Sequence, residues 1–495
     1  MKRKVIIIGG GISGMTAGIY LQKAGFDTVI LEKNAVPGGE CTGWKREGFV
    51  IDNCFHWLTG TKEGSDLNEL WKEIGMLGGD VDIYHKDEFY SYTSDGKTVT
   101  FWRDLERTKA ELLELAPEDR ENIEAFIENV RKVESMTVPV EKPFDKMGLK
   151  DYVKMGASMK DIPAVQKAYK GMSIDDLANT FKNPVIRRAL CLMIPPKSPA
   201  FSFIASYATI TAGNGDIPLG GSLAASLRIA SKYESLGGKL VKNAPVKEIL
   251  IEGDIAKGAV LENGETIEGD YVIAATDAGH IFTKLLPESY MPKSLGREFK
   301  SGNYSVFSGF HAAFAVDGEH RFGQESEFFD AEEMMVAGTK VNIFGIKCYD
   351  YDRSFAPEGK SVIQVQIVQS ENDYEYWRSL RDSSPEEYNK KKHELADEIR
   401  ERIEKSFPEV AGKLRLLDTW TPATYQRYCN AYNGAYMAFV ADKNVKSVRT
   451  KGTVKRLKNV FLAGQWLMGQ GGLPVAAAMG RFAAWRIADK EKVSL

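Results

Sequence analysis

The chain has 495 residues, of which 43% are hydrophobic and 27% charged. Those are ordinary globular proportions, so a largely disordered chain is excluded and a large core shared by more than one domain is expected. Sixty-five Lys and Arg against 68 Asp and Glu leave a formal charge of −3, which gives no global reason to expect nucleic acid or an anionic membrane as partner.

The first apolar run, Val5-Ile6-Ile7-Ile8, is too short for the core of a secretory signal. No stretch approaches the roughly 18 apolar residues of a spanning helix. A cytoplasmic protein is expected, with peripheral membrane contact left open. Val5–Ile8 reads as a strand buried on both faces. Residues 13–24 follow helical spacing, and Thr28–Leu31 reads as a second buried strand, which together make a βαβ unit. Residues 65–200 are rich in helix formers, charge and methionine, and read as a helical insertion. Helix is expected at Leu223–Tyr233, a hairpin at 246–262 around Gly253-Asp254, and a strand at Tyr271–Ala275. Strand-like alternation marks 304–316, 340–349 and 361–369. Residues 385–406 read as a charged amphipathic helix. Val460–Leu462 and then Gly471–Ile487 read as strand, turn and helix.

Gly9-x-Gly11-x-x-Gly14 lies between the first strand and the first helix. Gly9 suits the tight turn, Gly11 the close approach of a pyrophosphate, and Gly14 the packing of helix on strand. The helix N-terminus, with Ser13 in its first turn, offers free N–H groups to phosphates. Glu32 closes the second strand where a carboxylate can accept bonds from a ribose hydroxyl pair. Val36-Pro37-Gly38-Gly39 adds a second glycine turn. These features predict a dinucleotide site.

The blocks 9–39, 48–60, 218–240, 272–278, 421–428 and 459–481 resemble FAD-binding proteins of the glutathione-reductase-like type. Among these the chain is most similar to the phytoene desaturase, carotenoid isomerase and retinol saturase family, with amine oxidases as more distant relatives. The resemblance implies an α/β fold: a glutathione-reductase-like FAD-binding Rossmann domain with a discontinuous mixed α+β substrate domain. The expected boundaries are 1–64, 218–290 and 445–495 for the first, and 65–217 and 291–444 for the second. It also implies that Gly9, Gly11, Ser13 and Gly14 hold the pyrophosphate of FAD and that Glu32 and Lys33 lie at the ribose. Gly38 and Gly39 line the cofactor, and the Val246 backbone meets the adenine. Gly464 and Gln465 sit by the ribityl chain, and Gly472 and Leu473 open a helix aimed at the flavin. Two departures stand out. The family usually has Asp where this chain has Gln465, and a basic residue where it has Glu40.

No second GxGxxG appears mid-chain, so no dedicated NAD(P) domain is expected. Cys41 follows the second glycine turn, but Cys54 is too distant for the CxxxxC of disulfide reductases. Cys41 reads either as a small buried hydrophobe or as a thiol near the flavin. The five cysteines form no CxxC pair, and His85, His280, His311, His320 and His393 form no ligand set, so no metal is expected. His56 is the candidate catalytic residue, since altering a double bond needs a proton donor opposite a hydride donor; a structural histidine is the alternative. Tyr425, Tyr428, Tyr432 and Tyr436 recur at helical spacing, as either a packed face or an aromatic wall for substrate. The implied activity is FAD-dependent desaturation, saturation or isomerisation of a carbon–carbon double bond in a hydrophobic polyene or unsaturated lipid-like substrate. A flavin amine oxidase and a non-catalytic flavin-fold lipid-binding protein are the alternatives. The oligomeric state is not assigned.

Overall fold

The computed structural model describes residues 2–318, 322, 324–446, 448–469 and 471–495. Its centre is a parallel sheet of five strands in the order Lys239–Val241, Asp27–Leu31, Lys4–Ile8, Tyr271–Ala274, Val460–Leu462. Val5, Ile6 and Ile7 are fully buried, because the helices Ile12–Lys23, Gly221–Ser235 and Gly472–Glu491 cover one face of the sheet and a three-stranded antiparallel sheet covers the other. The helices Ile12–Lys23 and Gly472–Glu491 pack in close backbone contact. A Cβ on Gly480 would lie 2.2 Å from the Ser13 carbonyl oxygen. Gly18 plays the same part beneath the Tyr233 ring of the helix Gly221–Ser235, where its Cβ would come within 2.6 Å. The expected hairpin is Val246–Glu252 with Ile255–Leu261, extended by Thr266–Glu268.

A second sheet has seven strands in the order Leu414–Trp420, Ser308–Asp317, Lys360–Gln369, Thr339–Cys348, Ser326–Val336, Glu88–Ser94, Lys97–Trp102. It is antiparallel except where Ser326–Val336 runs parallel to Glu88–Ser94. One face carries Phe310, Phe314, Ile363, Val365 and Ile367, packed with Trp377, Leu395, Ile399 and Ile403 of the helices Glu371–Ser383 and Pro385–Ser406. The opposite face carries His311, Lys347, Gln364 and Gln366, brought side by side by the register His311↔Gln366 and Lys347↔Gln364.

The reading of 65–200 as purely helical is corrected here. Residues 88–102 form a hairpin that adds two strands to the long sheet. Six of the seven residues of Glu88–Ser94 are buried, on both faces of the strand, so the period-2 alternation that marks a half-exposed strand is missing. The turn was nevertheless written in Asp95-Gly96, whose φ values of 50° and 72° suit the left-handed two-residue hairpin turn. Ile83–Tyr84 is a further short strand, and most of the other elements of the stretch are helices, including Leu105–Leu115 and Arg120–Val133.

Candidate functional site

A cleft with about 1290 Å³ of empty space crosses the C-terminal end of the parallel sheet. This is where open α/β sheets bind ligands. Gly9, Gly11, Ser13, Glu32, Lys33, Gly38, Gly39, Val246, Gly464, Gln465, Gly472 and Leu473 all line it. Gly14 sits behind them, where it lets helix meet strand, since a Cβ there would stand 2.0 Å from the Gly9 carbonyl oxygen.

The cleft is shaped by backbone. The Gly38 N–H donates to the Gly10 carbonyl at 2.8 Å, locking the second glycine turn onto the first. Glu32 accepts from the N–H of Gly10 and of Asn34, each at 2.8 Å. These bonds hold the carboxylate in place and leave further lone pairs for a ribose. Burial raises its pKa, while the two backbone donors pull the other way. The Lys33 ammonium instead donates to the Arg427 carbonyl and to Asn430 Oδ1, pinning the strand end to the C-terminal end of the helix Pro422–Cys429. The group that fits such a cleft is a dinucleotide: glycines where phosphates need close approach, and a fixed acid at the ribose position. Glu32→Ala should weaken cofactor binding by about 1–3 kcal/mol and also leave two buried N–H groups without an acceptor. Flavin retention and melting temperature, measured together, separate the two effects.

Both departures from the family pattern meet in this cleft. Gln465 Nε2 donates to Glu40 Oε2 at 3.0 Å, and Gln465 Oε1 accepts from the Gly472 N–H at 2.9 Å. Gln465 thus ties the second glycine turn to the start of the helix Gly472–Glu491. The Glu40 carboxyl is pushed well above the ordinary range by burial and then by Asp277. Asp277 was not foreseen. It accepts from the N–H of His280 and of Tyr432, and burial lifts its pKa to about 6. Burial and the nearby Lys33 and Lys284 lower His280 to about 4, so its imidazole is neutral.

The scan against family models matches residues 12–488 to the flavin containing amine oxidoreductases. The chain belongs to that family. Within it, the chain is 24% identical to a chloroplastic prolycopene isomerase of Daucus carota, over 87% of this chain and 71% of that one. It is 24% identical to a 4,4'-diapophytoene desaturase of Methylomonas sp, over 99% and 96%. It is 26% identical to a lycopene-forming phytoene desaturase of Paracoccus sp., over 61% and 60%. Among solved structures, a putrescine oxidase superposes with a TM-score of 0.62 at 16% identity, covering 99% of both chains. An oxidoreductase from Methanosarcina mazei gives 0.60 at 18%, covering 98% of this chain and all of that one. At those identities the superpositions speak for the fold alone.

In this flavin family chain, the His56 side chain is solvent-accessible and lies near Lys347, His311 and Lys86. Burial, then Lys347, His311 and Lys86, push its pKa down to about 3, and it bonds to Gln366. Gln366 also bonds to Tyr436, which lines the cofactor cleft. The polar face of the long sheet therefore abuts the cleft. On it, Lys347 donates to the Phe55 carbonyl, and burial lowers its pKa to about 8. Sequence reasoning missed His311, Lys347, Gln364 and Gln366. The signal was present as single polar residues alternating with Ile363, Val365 and Ile367.

The four tyrosines do not form one helical face. The helix ends at Cys429, where Asn430 is left-handed with φ 57°. Tyr425 is buried, and its hydroxyl meets Asn53 Oδ1, Trp420 Nε1 and His311 Nε2. Tyr432 packs on Phe299, Phe439 and Trp466. Only Tyr428 and Tyr436 line the cleft. Among the described residues, no group of three or more His, Cys, Asp or Glu is placed to hold a metal; His320 lies outside them. No described helix is long and apolar enough to cross a membrane.

Proposed function

We propose that the protein is an FAD-dependent oxidoreductase that desaturates, saturates or isomerises a carbon–carbon double bond in a hydrophobic polyene or unsaturated lipid-like substrate. The observation that carries this reading is the hydrogen-bonded link that runs from Tyr436, at the cofactor cleft, through Gln366 to His56. The relatives that span most of the chain, a prolycopene isomerase and a diapophytoene desaturase, support the choice of bond. The glutathione-reductase-like division into 1–64, 218–290 and 445–495 against 65–217 and 291–444 belongs to the same proposal. It is supported by the split of strands between the two sheets, although 88–102 joins the second through its own hairpin.

Bound flavin would supply the two-electron chemistry. The chain supplies the rest. Glycine turns and Glu32 fix the cofactor, and the N-terminus of the helix Gly472–Glu491 lends positive charge at the cleft. His56, neutral and oriented by Gln366, holds a proton at the substrate. Leu149, Tyr152 and Val153 stand exposed on one side of the helix Leu149–Ser158, which supports peripheral contact with a membrane surface. An amine oxidase would need an aromatic cage; Tyr425 and Tyr432 are engaged elsewhere, which leaves Tyr428 and Tyr436 at the cleft.

The test mixes reduced holoprotein anaerobically with polyenes and enones as electron acceptors, and oxidised holoprotein with their more saturated analogues and with amines as electron donors. Reoxidation by polyenes or enones, bleaching of oxidised flavin by the more saturated analogues, or an isomerised polyene with no net redox change is expected. Hydrogen peroxide release with amines in air, and no response to alkenes, would overturn the proposal. His56→Ala should slow turnover by roughly a hundredfold while the protein keeps its flavin. Unchanged turnover would make the residue structural.

A further inference from the structure

Cys41 and Cys54 are separated in sequence by a hairpin. Its strands, Gly43–Arg46 and Phe49–Asp52, pair antiparallel with Gly43 opposite Asp52 and Trp44 opposite Ile51. The ladder runs past the strand ends, because the Asn53 N–H donates to the Thr42 carbonyl at 3.0 Å. One step further, the same register sets Cys41 opposite Cys54. Residues directly opposite on antiparallel strands have Cα atoms about 4.5–5.5 Å apart. That falls within the roughly 4.4–6.8 Å that a disulfide spans. The two thiols are free and are in hydrogen-bond contact. Both line the cofactor cleft.

Spacing in sequence hides this pair. A CxxxxC motif brings two sulfurs together on one turn, whereas here a β-hairpin does so across a dozen residues. Cys41 also bonds through its sulfur to the Ser222 carbonyl, and its own carbonyl accepts from Ser226, so the helix Gly221–Ser235 fixes that side. Asp52 accepts from the N–H of Cys54 and of Phe55 at 2.9 Å each and fixes the other. The contact with Cys41, burial and the carboxyl groups of Asp52 and Glu40 all favour the protonated form of Cys54.

We propose that Cys41 and Cys54 form a reversible, redox-active disulfide in the cofactor cleft, giving this chain a dithiol–disulfide activity coupled to its flavin site. Closing the S–S bond releases two electrons and two protons, the number that oxidised flavin takes up in full reduction. With a small organic disulfide as oxidant, one cysteine sulfur forms a mixed disulfide and expels one thiol. The second cysteine then displaces the other thiol, so one disulfide is consumed and two thiols are released. The coupling to flavin rests on the proposed cofactor; the pairing of the two sulfurs does not.

The experiment uses full-length holoprotein and oxidised glutathione at graded ratios to the reduced form. The expected product has lost two hydrogens, carries no glutathione, and yields a Cys41–Cys54 cross-linked peptide. The flavin absorbance should shift as the bond closes. Cys54→Ser should instead carry one glutathione on Cys41 and show no such shift. Failure to form the cross-link, a cross-link to Cys429, or a cross-link that leaves the flavin spectrum unmoved would overturn the proposal. A protein that purifies colourless yet forms the cross-link would refute the flavin reading separately.

Discussion

A Gly11→Val protein should fold normally and purify without colour. Gly11 has φ −74° and ψ 178°, extended backbone that valine adopts without strain. A Cβ built there meets only the Gly38 carbonyl oxygen, at 3.9 Å, an ordinary contact. The protein therefore tolerates the side chain, with a loss of about 1 kcal/mol or less as a poorer N-cap. Valine would instead fill the space between the two glycine turns, where the phosphates of a dinucleotide approach the backbone. A loss of several kcal/mol, a thousandfold or more in affinity, is expected. Gly14→Ala is the contrast. Its Cβ would strike the Gly9 carbonyl oxygen at 2.0 Å and that of Gly9 itself, at φ 105°, the Ala275 carbonyl oxygen at 2.6 Å, so these glycines serve the fold before the cofactor. Flavin-to-protein absorbance and thermal melts on Gly11→Val and Gly14→Ala decide the matter. A coloured Gly11→Val protein would move the phosphates elsewhere.

The same contrast shows what was legible in the sequence. The fingerprint and Glu32 could be read because each residue answers a local demand: a turn, a close approach, a strand end. The buried strand Val5–Ile8 and the charged helix at 385–406 were equally local. The tyrosine ladder failed because its spacing continues after the backbone stops being a helix. Tyr432 and Tyr436 follow the left-handed Asn430, a break that spacing cannot register. Lys347, His311 and Gln366 meet only because three strands distant in sequence lie in register, and nothing local announces that. Glu40 and Gln465 were each visible as departures, but their meaning lay in the hydrogen bond between them.

That bond leads to the second large effect. Flavin retention should weaken as pH rises, and Glu40→Gln should remove most of the dependence. The Glu40 carboxyl is half-buried at the cleft wall, bonded to Gln465 Nε2, and surrounded by groups of its own sign or none: Asp277, Cys54 and Cys429. Lys33 is turned to the Arg427 carbonyl and Asn430, and His280 is neutral. Burial and Asp277 already raise the pKa of Glu40 in the free protein. The two negative charges of a pyrophosphate would raise it again. A group whose pKa is higher in the loaded protein than in the free one binds a proton on loading. Affinity is then flat below the free pKa and falls by up to about tenfold per pH unit between the two values. Glutamine keeps the hydrogen bond and carries no proton to lose. Its profile should be flat at high pH, with only the smaller step due to Asp277, whose pKa is about 6, remaining. Flavin titrations of both proteins from acid to alkaline pH provide the measurement, and identical slopes would exclude Glu40 as the titrating group. The argument also explains why the two departures occur together. With the family's Asp at 465, the half-buried Glu40 would face a second carboxylate with no donor between them. Gln465→Asp alone should therefore lose flavin at neutral pH, and adding Glu40→Arg should restore it by pairing the two charges.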